Sequence, residues 1–332
     1  MKLVTYLERD AKGAQIGALI DGCVVNLDAA CTWAQGARGI SREELPLSLL
    51  EIIYAGSERW DYLKAVLAEV QKTEEPLLLK SRGHQVVGLG LDQARLLPPI
   101  HPISVRDGYA FEQHVKTANA NRGREVPAEW YTAPVFYFGN PTGSIGPEEP
   151  VYCPRYSDAL DFELEIAAII GKHCRNVAAE AAEETIFGYT IFNDWSARDV
   201  QRNEMKVGLG PAKGKDFASS FGPCIITPDE LEDRRTGRSG VYDLGMSARI
   251  NGETVSQGNF KDMFWSFGDI IARASDEVTL FPGELIGSGT VGTGCLLELT
   301  KGQGPWLKPG DIVELEIERI GVLRNTVAPK RI

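Results

Sequence analysis

The segment Leu160-Asp-Phe-Glu-Leu-Glu-Ile-Ala-Ala-Ile-Ile170 constrains this chain more than any other. Side chains alternate across a strand, so Asp161, Glu163 and Glu165 fall on one face and Leu160, Phe162 and Leu164 on the other. A half-exposed strand with a solvated acidic face would account for that stretch alone. The run 166–170 that follows is apolar throughout, which implies that both faces become buried and carry the acids inward. Two carboxylates about 4 Å apart repel by roughly 4 kcal/mol at an effective dielectric of about 20. A buried pair therefore needs a proton or a metal. A further acid, in Ile191-Phe-Asn-Asp194, ends another apolar strand. An oxygen-only set of Asp and Glu selects a hard divalent cation, Mg²⁺ or Ca²⁺, over zinc or copper.

The surrounding pattern is mainly β with some α. Strands are expected at 160–170, 186–192, 223–227, 243–250 (turning at Asn251-Gly252), 295–300 and 312–317, and helices at about 196–205 and 260–275. Regular helices do not separate the strands, which disfavours a doubly wound parallel sheet and favours a mixed β-sandwich or roll. A small N-terminal β unit precedes it, with strands at 2–7, 15–20 and 23–27 and a tight turn at Asp21-Gly22. Trp60, Leu63, Leu67 and Val70 recur at helical spacing within 57–73. Pro98, Pro99 and Pro102 interrupt the block 95–103 and mark a linker. The expected division is a small N-terminal β/helical domain, 1–100, and a catalytic domain, 101–332.

Over 332 residues, 35 basic and 46 acidic side chains give a net charge of −11, which argues against nucleic-acid and anionic-membrane partners. Apolar runs fall short of the roughly 20 residues that cross a bilayer, and the first ten residues do not read as a signal peptide. Six cysteines are scattered without a C-x-x-C pair, so a cytoplasmic protein acting on a small molecule is expected. Gly287-Ser-Gly289-Thr-Val-Gly292 matches the dinucleotide fingerprint, but those glycines are expected to lead into a strand at 295–300 rather than a helix. Gly210-Pro-Ala-Lys-Gly-Lys215 lacks the spacing and the Ser/Thr of a phosphate loop. After Asp194, a helix would place Asp194, Arg198 and Gln201 on one stripe, offering cationic and amide donors beside a metal. Of the four histidines, His84, His101, His114 and His173, His114 alone lies seven residues after an acid, Asp107.

Read together, these residues resemble the fumarylacetoacetate hydrolase family. The resemblance runs from about residue 102 to the C-terminus, and the N-terminal β unit is similar to that of the longer members. Five blocks carry it: Arg106-Asp-Gly-Tyr-Ala-Phe-Glu-Gln-His114, Leu160-Asp-Phe-Glu-Leu-Glu165, Asn193-Asp-Trp-Ser-Ala-Arg-Asp-Val-Gln201, Gly210-Pro-Ala-Lys-Gly-Lys215, and Gly287-Ser-Gly-Thr290 followed by Leu296-Leu-Glu298. The resemblance implies that Asp107, Glu163, Glu165 and Asp194 ligate one divalent cation per chain. It implies that His114 is the general base, oriented by Glu298, and that Arg198, Gln201 and Lys215 donate to the oxyanion and leaving group. Tyr109, Arg122, Tyr137 and Thr290 would hold the substrate. The implied activity is metal-dependent cleavage of the C–C bond of a β-diketo acid, of fumarylacetoacetate or acylpyruvate type, in a homodimer. Decarboxylation of an oxaloacetate-type β-keto acid and hydrolysis of a diketo-deoxy sugar acid are alternatives within the same fold. Phe138 and Asn140 follow Tyr137 where a His-Gly-Arg run is usual, and the loop between Thr290 and Glu298 is shorter than in the fumarylacetoacetase pattern.

Overall fold

The computed structural model describes residues 1–9, 13–73, 76, 79–80 and 86–331. A twelve-stranded sheet forms its backbone. From one edge the order is Gly88–Gly90, Cys23–Asn26, Gln15–Ile20, Lys2–Glu8, Ser219–Ile226, Ile186–Asn193, Leu164–Ile170, Leu285–Gly287, Val105–Gly108 and Phe136–Gly139. Ala94–Leu96 pairs alongside Lys2–Glu8, and Ser144–Ile145 alongside Ser219–Ile226. Most pairs are antiparallel; Leu285–Gly287 runs parallel to Val105–Gly108. A five-stranded sheet, ordered Glu253–Asn259, Gly245–Ile250, Ile312–Ile317, Gly321–Ala328 and Val151–Tyr152, packs against one face.

The apolar run read from the sequence becomes the centre of this arrangement. Ile166, Ala168 and Ile170 point into the core shared with Met246, Leu315 and Leu323 of the smaller sheet. Ala167 and Ile169 point the other way, into a core closed by Ile52, Ile53, Leu63 and Val66. Those last residues belong to N-terminal helices Leu49–Ala55 and Ser57–Gln71, which with Leu27–Arg38 cover the opposite face. The large sheet is continuous across residue 100, because Lys2 and Leu3 pair with Ile226 and Ile225. The Asp21-Gly22 turn forms as expected, with φ of 47° and 78° at its two residues and Ile20 paired to Cys23.

Several expectations are corrected. The stretch 160–170 is two strands, Leu160–Asp161 and Leu164–Ile170. Between them the Phe162 N–H donates to Asp161 Oδ1 and the Glu163 N–H to Asn193 Oδ1, so side chains replace the ladder and strict alternation is lost. The expected strand at 295–300 is a one-turn helix, Leu296–Leu299. Its first two N–H groups donate to the Asp161 carboxylate, a long-range contact that decides helix over strand. The helix expected from 196 starts at Arg198, so Asp194 lies at a strand end rather than on a helical stripe. The segment 260–275 divides into a 3₁₀ turn, Phe260–Asp262, and a helix, Phe267–Ser275, started by a Ser266–Asp269 capping box.

Candidate active site

Strand ends and one glycine turn deliver the acids. Asp107 sits in Val105–Gly108, opposite Gly287 on one side and Tyr137 on the other. Glu165 lies opposite Phe192, and Asp194 directly follows Ile186–Asn193. Carboxylate oxygens from Asp107, Glu165 and Asp194 all lie within 4.8 Å of one another, and all three side chains are buried. The Gly289 N–H donates to Asp107 Oδ1 at 3.2 Å and to Glu165 Oε2 at 3.1 Å. Gly289 has φ of +76°, and a Cβ there would stand 2.7 Å from the Gly108 carbonyl oxygen, so the turn requires glycine. Thr290 Oγ1 donates to Glu165 Oε1 at 3.4 Å, and the Tyr137 hydroxyl to Asp194 Oδ2 at 2.5 Å.

Burial, reinforced by repulsion from neighbouring acids, pushes Asp107 and Glu165 well above the usual carboxylate range; burial also raises Asp194. Three buried acids this close cannot all be charged without compensating positive charge. An all-oxygen donor set of this kind fits a hard divalent cation. Glu163 is placed differently. Its carboxylate accepts from Arg198 Nη2 at 2.8 Å through Oε1 and from Lys215 Nζ through Oε2. Burial would raise it, but Arg198 and Lys215 hold it below the usual range. Lys215 also reaches Asp194 Oδ2 at 2.5 Å, and those two acids outweigh its burial and hold the ammonium above its ordinary value.

Across the cavity, helix Glu112–Ala120 carries His114, whose Nδ1 meets Glu298 Oε1 at 2.5 Å. Glu298 stands on the one-turn helix and also accepts the Thr293 N–H at 3.2 Å. This leaves Nε2 as the uncommitted ring nitrogen. Tyr109 packs edge-on against the imidazole at 5.4 Å, its phenol pushed up to about 12 by burial. His173 instead packs on Phe281, His101 is exposed, and His84 lies outside the described residues.

A cavity of about 290 Å³ joins the two halves, bordered by Asp107, His114, Glu163, Glu165, Arg198 and Lys215. Tyr109, Tyr137, Gln201, Thr290 and, from an exposed position, Arg122 also line it. Asp194 and Glu298 do not; they stand behind, bonded to Tyr137 and Lys215 and to His114 respectively. A larger depression of about 650 Å³ beside Arg9, Arg95 and Glu148 contains none of these residues. Asp161, expected on the acidic face of its strand, stands apart from the cavity. It is fully buried, donates nothing to the cavity, and bonds Arg198 Nε at 2.8 Å. Asn193 was missed as a site residue; its Oδ1 fixes the Glu163 backbone.

The sequence profile described as "Fumarylacetoacetate (FAA) hydrolase C-terminal" matches residues 104–328. The chain belongs to this enzyme family. A 2,4-didehydro-3-deoxy-L-rhamnonate hydrolase of Sphingomonas sp. (strain SKA58) is 31% identical over 261 residues, 76% of this chain and 84% of that protein. The mitochondrial oxaloacetate tautomerase FAHD2A of Homo sapiens is 34% identical over 223 residues, covering 66% of this chain and 64% of that one. Among solved structures, a fumarylacetoacetate hydrolase from Exiguobacterium antarcticum superposes with a TM-score of 0.70 at 27% identity, covering 99% of this chain and 100% of that chain. Among the described residues, no helix is long and apolar enough to cross a membrane.

Proposed function

We propose that this member of the fumarylacetoacetate hydrolase family is a divalent-cation-dependent hydrolase that cleaves the C–C bond of a β-diketo acid of acylpyruvate type. One observation carries the reading: His114, backed by the buried Glu298, borders the same cavity as Asp107 and Glu165, with Asp194 clustered behind those two acids. These three acids would hold the cation, with Glu163 beside them. When bound, Mg²⁺ or Ca²⁺ supplies positive charge to the oxygens of a 1,3-dicarbonyl.

Glu298 fixes the imidazole with its proton on Nδ1, so His114 Nε2 can take a proton from water. The water oxygen bonds to the acyl carbonyl carbon, whose oxygen becomes negative. Arg198, Gln201 and Lys215 border that space as donors. Gln201 Oε1 already accepts from Arg198 Nη1 at 3.0 Å, which leaves the Gln201 amide nitrogen to donate. Re-forming the carbonyl breaks the C–C bond and leaves its electron pair on the pyruvate fragment as an enolate. The imidazolium returns its proton to that carbon, giving two acids from one diketo acid and one water. Tyr109, Arg122, Tyr137 and Thr290 are assigned to holding the substrate.

The tautomerase relative favours a second reading, proton transfer on an oxaloacetate-type keto acid without C–C hydrolysis; decarboxylation of such an acid and hydrolysis of a diketo-deoxy sugar acid are its neighbours. A product assay on acylpyruvates, fumarylacetoacetate, oxaloacetate and a diketo-deoxy sugar acid decides among them. His114→Ala should lower hydrolysis by about 10²-fold or more, whereas metal-assisted decarboxylation does not need the base. The proposal includes a homodimer, and a monomeric mass in light scattering at micromolar concentration would remove that part.

A further inference from the structure

We infer that Asp161 is a positioning residue that ties the base side of the cavity to the oxyanion side; this rests on the hydrolase reading above. Its carboxylate is fully buried and makes bonds in two directions. Oδ1 accepts the Leu296 N–H at 2.8 Å and Oδ2 the Leu297 N–H at 3.0 Å. These are first-turn donors of the helix Leu296–Leu299, and Cys295 at its N-cap offers no side-chain bond to replace them. Asp161, from 135 residues earlier in the chain, therefore caps the single turn on which Glu298 is mounted. A four-residue helix has little stability of its own, so the direction in which Glu298 faces His114 depends on this remote cap.

Asp161 Oδ2 also accepts from Arg198 Nε at 2.8 Å. Anchoring Arg198 through Nε leaves Nη1 for Gln201 and Nη2 for Glu163, fixing the guanidinium plane beside the cavity. The Phe162 N–H adds a further bond to Oδ1 at 2.9 Å, so the carboxylate's acceptor sites are taken up by the protein itself. Asp161 does not line the cavity. It acts through Glu298 and Arg198, setting the spacing between the group that removes a proton and the group that receives negative charge. A misplacement of about 1 Å in such a pair can cost 10²-fold in rate.

Asp161→Asn tests this. The amide keeps the side chain's shape but replaces one acceptor oxygen with a donor, which would face the Arg198 Nε–H or the helix N–H groups. The direct reading is the far-downfield proton resonance of the His114 Nδ1–H in the substrate-free protein, assigned by its loss in Glu298→Gln. The expected result is a resonance shifted or broadened away, kcat on an acylpyruvate lowered about 10–100-fold, the range seen when a supporting hydrogen-bond partner is removed, and KM within threefold. Circular dichroism should stay native. An unmoved resonance overturns the inference, whatever happens to kcat. Should Asp161→Asn fail to fold, Leu296→Pro removes one of the two capped N–H groups and leaves the carboxylate in place. Proline is tolerated at the first helical position, and Cys295 before it is already extended, at φ −153° and ψ 158°. The same shift in resonance and a several-fold loss of kcat are expected; no change in either contradicts the inference. Because the resonance is read without substrate, failure of the wild type to cleave any diketo acid would count against the hydrolase reading alone.

Discussion

Glu163 shares its single charge between two buried cations, and the consequence of removing that charge follows from the geometry. Arg198 and Lys215 both bond its carboxylate, with all three side chains at least 93% buried. Glu163→Gln takes from each cation one of its two carboxylate partners in a desolvated site, leaving Asp161 to Arg198 and Asp194 to Lys215; breaking a buried pair outright costs on the order of 3–5 kcal/mol, an upper bound here. The metal-free variant should therefore melt well below the wild type by calorimetry; an unchanged midpoint would mean that Asp161 and Asp194 carry the neutralisation alone. The family resemblance implies Glu163 as one metal ligand among four, and period-two alternation cannot show that its oxygens meet Arg198 and Lys215. His114 was legible: among the histidines it follows Asp107 closely, and the structure buries it against Glu298. The role of Asp161 was not, since its partners Leu296 and Leu297 are far away in sequence.

At the scale of elements, the glycine turn and the N-terminal helices separate function from stability. Gly289→Ala forces a side chain onto a φ of +76° with its Cβ against the Gly108 carbonyl, and shifts the N–H shared by Asp107 and Glu165. A loss of more than about 1 kcal/mol of stability together with weaker cation binding by titration calorimetry is expected; intact affinity would show that the turn does not organise the acids. Ser48→Ala offers the contrast. It deletes a capping box with Glu51 on a helix remote from the cavity, so about 1 kcal/mol of stability should go while kcat is unchanged. That helix carries its start signal in Ser48-Leu-Leu-Glu51, and Leu27–Arg38 carries one in Asn26, whose side chain accepts the Ala29 N–H. Both start signals are readable from local chemistry alone. The strand wrongly expected at 295–300 is of another kind, because a distant carboxylate overrides the local apolar pattern.

For the whole molecule, strand ends of the twelve-stranded sheet hold the acidic cluster away from solvent, and burial couples the site to pH. Asp107, Glu165 and Asp194 are raised above their unfolded values, so in the metal-free folded chain these three sites hold more protons than they do in the unfolded chain. Their contribution to stability is greatest below the usual carboxylate range and is lost as pH rises through the raised folded values. A cation replaces those protons. The gain in Tm on adding Mg²⁺ to chelator-treated protein should grow as pH rises above the usual carboxylate range, and a gain independent of pH would contradict the assignment of the cation to these acids. The strand-rich, non-Rossmann architecture was legible because strands follow one another without regular intervening helices. The sharing of one sheet by residues before and after 100 was not, since pairing of Lys2 with Ile226 leaves no local pattern. Cation-dependent C–C hydrolysis with His114 as the base is tested by measuring pyruvate release from an acylpyruvate by the wild type, the chelated protein and His114→Ala. The expected result is one pyruvate and one carboxylic acid per substrate with Mg²⁺ or Ca²⁺ present, abolition by chelation with recovery on adding the cation back, and a loss of about 10²-fold or more in the variant. Pyruvate release undiminished by chelation, or undiminished in His114→Ala, would contradict it.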